Sequence, residues 1–154
     1  MAFAIVIKTK GLTELPGKLQ RFRLGIIARM DIMLRQIGQE VARRSKEDYL
    51  SGPRPDKLGR RSGDLARSVN YKVTGNRVVI GSNLKYARIH EKGGTIRARN
   101  SPYLVFRIGN QWISTKEVTI PERAFLSPAL RDSREDSLRI IRRIAGQALK
   151  EALA

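Results

Sequence analysis

Cysteine is absent from the 154 residues. That excludes disulfides and thiolate metal sites and fits a reducing compartment. Histidine occurs once, as His90. A single imidazole with scattered carboxylates shows no metal-ligand spacing. Aromatic residues make up only 6% of a chain that is 41% hydrophobic, so the core should be aliphatic. No apolar run approaches the roughly 20 residues that span a bilayer. The opening M-A-F-A-I-V-I-K lacks a basic leader and is too short for a signal peptide. Neither G-x-G-x-x-G nor a Walker pattern occurs, so no phosphate-cradling loop is expected.

Acid is the other shortage. Fourteen carboxylates face 31 Lys and Arg, a net charge of +17. A metal-dependent nuclease needs clustered carboxylates. Here Glu47-Asp48 ends a helix, and Asp132, Glu135 and Asp136 lie among arginines early in another. Placement near a helix N-terminus and local charge pairing are the expected roles. His90 and Glu91 could serve as base and orienter, but neighbours on a helix point apart. No catalytic residue, cofactor or metal is therefore expected. The excess of positive charge requires a polyanion or an acidic neighbour, since like charges destabilise a compact chain. Both partners satisfy it.

A chain of this length is most simply one domain, 1–154. Ala2 to Lys8 is β-rich and reads as a first strand. Thr13 can cap a helix whose first turn tolerates Pro16. Leu19, Phe22, Ile26, Met30, Met33, Ile37 and Val41 then recur at steps of three and four. They mark one stripe down a long helix that runs to about Tyr49 and packs on a sheet. Residues 51–68 lose that period and collect Pro, Gly, Ser and basic side chains, which reads as a mobile loop. Its cations Arg54, Lys57, Arg60, Arg61 and Arg67 are the candidate DNA-facing or partner-docking residues. Without interleaved aromatics, only sequence-independent attraction to phosphates remains. Docking on an acidic protein surface is the alternative.

Two hairpins follow: 68–73 with 77–80 around Gly75-Asn76, and 103–108 with 111–114 around Gly109-Asn110. Gly-Asn can supply the positive φ angles of primed turns. Between the hairpins, Tyr86 to Lys92 reads as a short helix that Gly93-Gly94 terminates. Thr95 to Asn100 is a loop, or a strand pairing outside the main sheet. Ser127 as cap and Pro128 in the first turn open a final amphipathic helix, about 127–152. The class is α+β: an antiparallel sheet of about five strands with a long helix from each part of the chain.

Three segments stand in order: R-S-G-D-L-A-R-S at Arg61–Ser68, Y-A-R-I-H-E-K-G-G at Tyr86–Gly94, and I-P-E-R-A-F-L at Ile120–Leu126. Together with the flanking helices, over about residues 10–150, the pattern resembles the phage virion morphogenesis family, the tail-completion or neck proteins of Mu-like phages. Ala124 departs from it, since a second proline is frequent there. The resemblance implies a non-enzymatic virion protein, made in the host cytoplasm, at the junction of head and tail. It implies a homo-oligomeric ring, a hexamer, touching neighbouring head-closure and tail proteins and, through phosphates, the viral DNA in its channel. No membrane partner is implied. Tyr86, His90, Gly93, Gly94, Pro121, Arg123 and Phe125 would be its structural or interface positions. Phe125-Leu126, an exposed-looking apolar pair beside a rigid proline, reads as an anchor locked in place, with Phe125 making a large buried contact. A monomeric or dimeric sequence-independent nucleic-acid-binding protein is the alternative function, with an enzyme a distant third.

Overall fold

A computed structural model describes residues 14–52, 58–59 and 62–154. The expected first strand, Thr13, and the basic residues Arg54, Lys57, Arg60 and Arg61 lie outside the described residues. Helix α1 spans Leu15–Arg44, with Pro16 in its first turn and Glu14 at the N-cap without a side-chain cap. A π-helical turn, Ser45–Tyr49, carries it to the expected end. Strands β1 (Val69–Thr74) and β2 (Arg77–Ser82) form the first hairpin. Next come α3 (Ala87–Lys92) and β3 (Gly94–Arg97), preceded before the hairpin by the short α2 (Asp64–Ser68). Strands β4 (Leu104–Ile108), β5 (Gln111–Thr115) and β6 (Glu117–Ile120) lead into α4 (Ser127–Asp132) and α5 (Arg134–Leu153).

The α+β class holds, but the strands do not merge into one sheet. Among the described residues six strands make three antiparallel two-stranded ladders: β1–β2, β3–β6 and β4–β5. The last two are concentric. They are the base and tip of one hairpin arm, 94–120, with the Ala98 N–H bonded to the Lys116 carbonyl at 3.0 Å between them. Residues 98–103 are not in the ladder, and Pro102 there has no N–H to give it. Of the two readings of Thr95 to Asn100, the strand holds for Thr95–Arg97, which pair with β6, and residues 98–100 lie outside any strand. Both hairpin turns have a positive φ at glycine alone, Gly75 at 58° and Gly109 at 59°. That fits the primed turn with glycine in the first central position.

The long helices run antiparallel. Arg21 of α1 donates to the Ala152 carbonyl at 3.0 Å, Arg143 to Gln36, and Arg44 to Asp136. A Cβ on Gly25 would lie 3.2 Å from that of Ala148, so small residues set the closest approach. On another side α1 crosses the first hairpin at Gly38, where a Cβ would fall 2.7 Å from Tyr71 and Val78.

The core lies where α1, the π-helical turn, α2, β1 and α3 converge on Phe125. Six of the eleven buried apolar residues are alanines, and Phe125 is the largest fully buried side chain among the described residues. It is wholly inaccessible, as a packed phenylalanine anchor requires. Two expectations change here. The loop 51–68 ends in a helix, α2, because Leu65 and Ala66 reach the core. The final helix is broken at Ser133, whose buried hydroxyl donates to the Ala129 carbonyl at 2.7 Å. Serine bonding back one turn competes with the regular helix ladder.

Candidate functional site

The second and third sequence segments fold against each other. On α3, a four-residue step puts Ala87 and Glu91 toward the body of the protein and Arg88 and Lys92 on a different, exposed side, with Lys85 in the turn just before the helix. The Glu91 carboxylate then meets the chain just before α4. One oxygen accepts from the N–H groups of Phe125 and Leu126 at 2.8 and 2.9 Å. The other accepts from the Ser127 N–H at 2.8 Å and its hydroxyl at 2.6 Å. A helix leaves its first N–H groups without partners, and the cap is usually a local side chain. Here α3 supplies it from 36 residues away. Ser127, expected as cap, instead donates to Glu91.

Burial pushes the Glu91 carboxyl up. The donors on Leu126, Ser127 and Phe125 outweigh that and hold its pKa below the ordinary value. A further clasp joins the Arg123 N–H to the His90 carbonyl at 2.8 Å. Gly93, at φ 64°, has room for no side chain: a Cβ would lie 2.8 Å from the Glu122 nitrogen. Gly94 is also at positive φ, and a Cβ there would press on Ile89 at 2.9 Å. Gly93→Ala should destabilise the fold by about 1–3 kcal/mol from backbone strain alone. Urea unfolding measures it, and a midpoint equal to the parent's would refute the close approach.

His90 meets Tyr86 edge-on, with ring centroids 5.9 Å apart. Its Nδ1 is buried with no hydrogen-bond partner among the described residues. Burial, and then the Arg123 charge, keep the imidazole pKa below 6.5, so the ring is neutral at pH 7. Glu91 faces away to its four donors, so the two do not form a base and its orienter. Tyr86 and His90 border a cavity of about 260 Å³ with Leu50, Leu58, Asp64 and Leu65. Pro121 ends β6 at an exposed position, and the Arg123 side chain is exposed as well. No group of three or more His, Asp or Glu among the described residues could hold a metal ion. No described helix is long and apolar enough to cross a membrane.

Of the basic-loop candidates, the structure places Arg67 alone. It is exposed and paired with Asp64 at 2.5 Å. Two surfaces escaped the sequence reading. One is the outer side of α3, where the spacing of Lys85, Arg88 and Lys92 was the available signal. The other is the arm, whose Trp112, Val105, Ile108 and Tyr103 are all exposed, Trp112 by 72%. The register pairs Arg107 with Trp112, so apolar groups occupy both faces of this ribbon.

The fold and this joint define an α+β protein whose motif residues clasp two chain segments together. The sequence profile of the phage virion morphogenesis family matches residues 40–150, from the end of α1 through most of α5. The chain belongs to that family, and its role is in phage virion morphogenesis. No curated protein and no solved structure is matched by the chain.

Proposed function

We propose that this protein is a non-enzymatic structural piece of the phage neck, a tail-completion component that forms a hexameric ring at the head–tail junction, around the DNA. Virion morphogenesis is the family's business, and the ring is our finer reading of it. One observation carries it. The motif residues Glu91, His90, Gly93 and Phe125 are spent on holding two segments together, while large apolar side chains stand exposed on the arm and on α1. Leu19, Leu24, Ile27 and Ile32 of α1 are exposed in the same way. Exposed apolar surface of this extent marks sites of protein association. Two different patches on one chain suit a head-to-tail contact, which closes into a ring when the rotation allows. In that ring the cations Arg54, Lys57, Arg60, Arg61 and Arg67 would contact the DNA through its phosphates.

Native mass spectrometry of the purified protein tests this directly. A species six times the 17.4 kDa subunit, lost in Trp112→Ala, supports the ring. A subunit that stays monomeric at concentrations supporting head–tail joining would sink it. The net charge of +17 favours one other reading, a monomeric sequence-independent nucleic-acid-binding protein, and that outcome would select it.

A further inference from the structure

We infer that the outer face of α3 is a binding site for the phosphate backbone of duplex DNA, formed by Lys85, Arg88 and Lys92. With Ile89 and Gly93 these residues line a concavity of about 430 Å³. Arg88 and Lys92, four residues apart, share a side of the helix away from the buried Ala87, and Lys85 joins them from the turn before it. Of the seventeen other described arginines, seven are answered by acids. Arg29, Arg35, Arg43, Arg44, Arg67, Arg97 and Arg139 each lie within ion-pair distance of a carboxylate. Lys85, Arg88 and Lys92 have no ion pair among the described residues. The cause is specific: the one acid of α3, Glu91, is turned to the other side and committed to the cap of α4. The helix dipole accounts for a cation at Lys92 in the last turn but not for Lys85 and Arg88 at the opposite end.

The ligand class follows from what lines the concavity. No carboxylate lies in it, so it takes an anion. No aromatic ring lies in it, so it offers neither base stacking nor the aromatic anchor of a protein interface. From Arg88 to Lys92 the helix rises roughly 6 Å, about two phosphate steps along one strand of a duplex. Long cationic side chains around an open concavity suit phosphates without reading sequence.

This site deepens the neck reading only in saying where the duplex comes from. Its test uses purified protein, so a failure of ring assembly leaves it standing. Binding of the full chain to two unrelated 30-base-pair duplexes is followed by fluorescence anisotropy across a salt series. Changing Lys85, Arg88 and Lys92 together to Gln should flatten the log–log salt slope by up to about 2.7 units, at 0.9 per phosphate contact. The charge-matched control changes Arg134, Arg142 and Lys150, which removes the same net charge from α5. Both variants must melt with the parent, and Lys85→Arg with Lys92→Arg should bind as the parent does. A loss of slope at least one unit greater than the control's supports the site. A smaller difference overturns it, as does a parent that binds no duplex. Equal affinity for polyglutamate, lost in the same triple variant, overturns the DNA assignment in favour of an acidic protein.

Discussion

Phe125→Ala is expected to cost about 3–5 kcal/mol, the range for removing a packed phenylalanine from a core. The reason lies in the company Phe125 keeps. Its buried neighbours Ala42, Ala66 and Ala87 are small, so little around it can collapse into the space left behind. Against a total stability of roughly 5–15 kcal/mol, that loss leaves a marginal fold. For a chain of this size each kcal/mol lowers the melting midpoint by about 2–4 °C, so a fall of about 6–20 °C should appear in a thermal scan. Phe125→Leu, which keeps most of the volume, should lose much less. In the dissociated subunit, Trp112→Ala should stay within about 0.5 kcal/mol of the parent, because the indole of the single chain stands in solvent. A Phe125→Ala protein that melts with the parent would remove Phe125 from the centre of the core.

Glu91 should make the protein sensitive to acid. Its carboxylate accepts four hydrogen bonds, three from main-chain N–H groups. Its folded pKa lies below the ordinary 4.5. The stability it contributes is therefore fully present above the unfolded pKa and is lost as pH falls through the folded value. Glu91→Ala at pH 7 should cost about 2–4 kcal/mol, since hydrogen bonds to a charged group are worth about 1.5–3 kcal/mol and the main-chain donors lose their partner. Glu91→Gln keeps one acceptor oxygen and should fall between. Urea unfolding from pH 7 to pH 3 provides the check. Below pH 4.5 the gap between parent and Glu91→Gln should narrow. A gap that stays constant through that window would mean the carboxylate charge contributes nothing to the cap.

What could be read from the sequence was local. The α1 stripe, the Gly75 and Gly109 turns, the stop at Gly93 and the place of α4 all have their causes within a few residues. The clasp between His90–Glu91 and Arg123–Ser127 has no such signature. Its donors and acceptors are more than thirty residues apart, and a glutamate that caps a distant helix looks like any other surface glutamate. The short α2 was hidden in a stretch whose composition argued for a loop, and only burial of Ala66 reveals why it is helical. Strand β6 runs into the third motif at Ile120, and its alternation of Val118 and Ile120 passed unnoticed. Ser133 breaks the last helix through one hydroxyl, a cause too small to disturb an apolar period.

The antiparallel contact of α1 and α5 also bears on how the chain is born. Arg21 and its acceptor at Ala152 are 131 residues apart. A ribosome adding 5–20 residues per second takes on the order of ten seconds to make that stretch. For that interval α1 exists without its helical partner, and its face at Gly25 and Arg29, which later meets Ala148 and Glu151, is open to other contacts. The hairpin arm needs no such wait, since both of its ladders close over fewer than thirty residues. On a polysome, neighbouring nascent chains would thus present finished arms beside uncovered α1 helices, and subunits could first meet before any of them is complete.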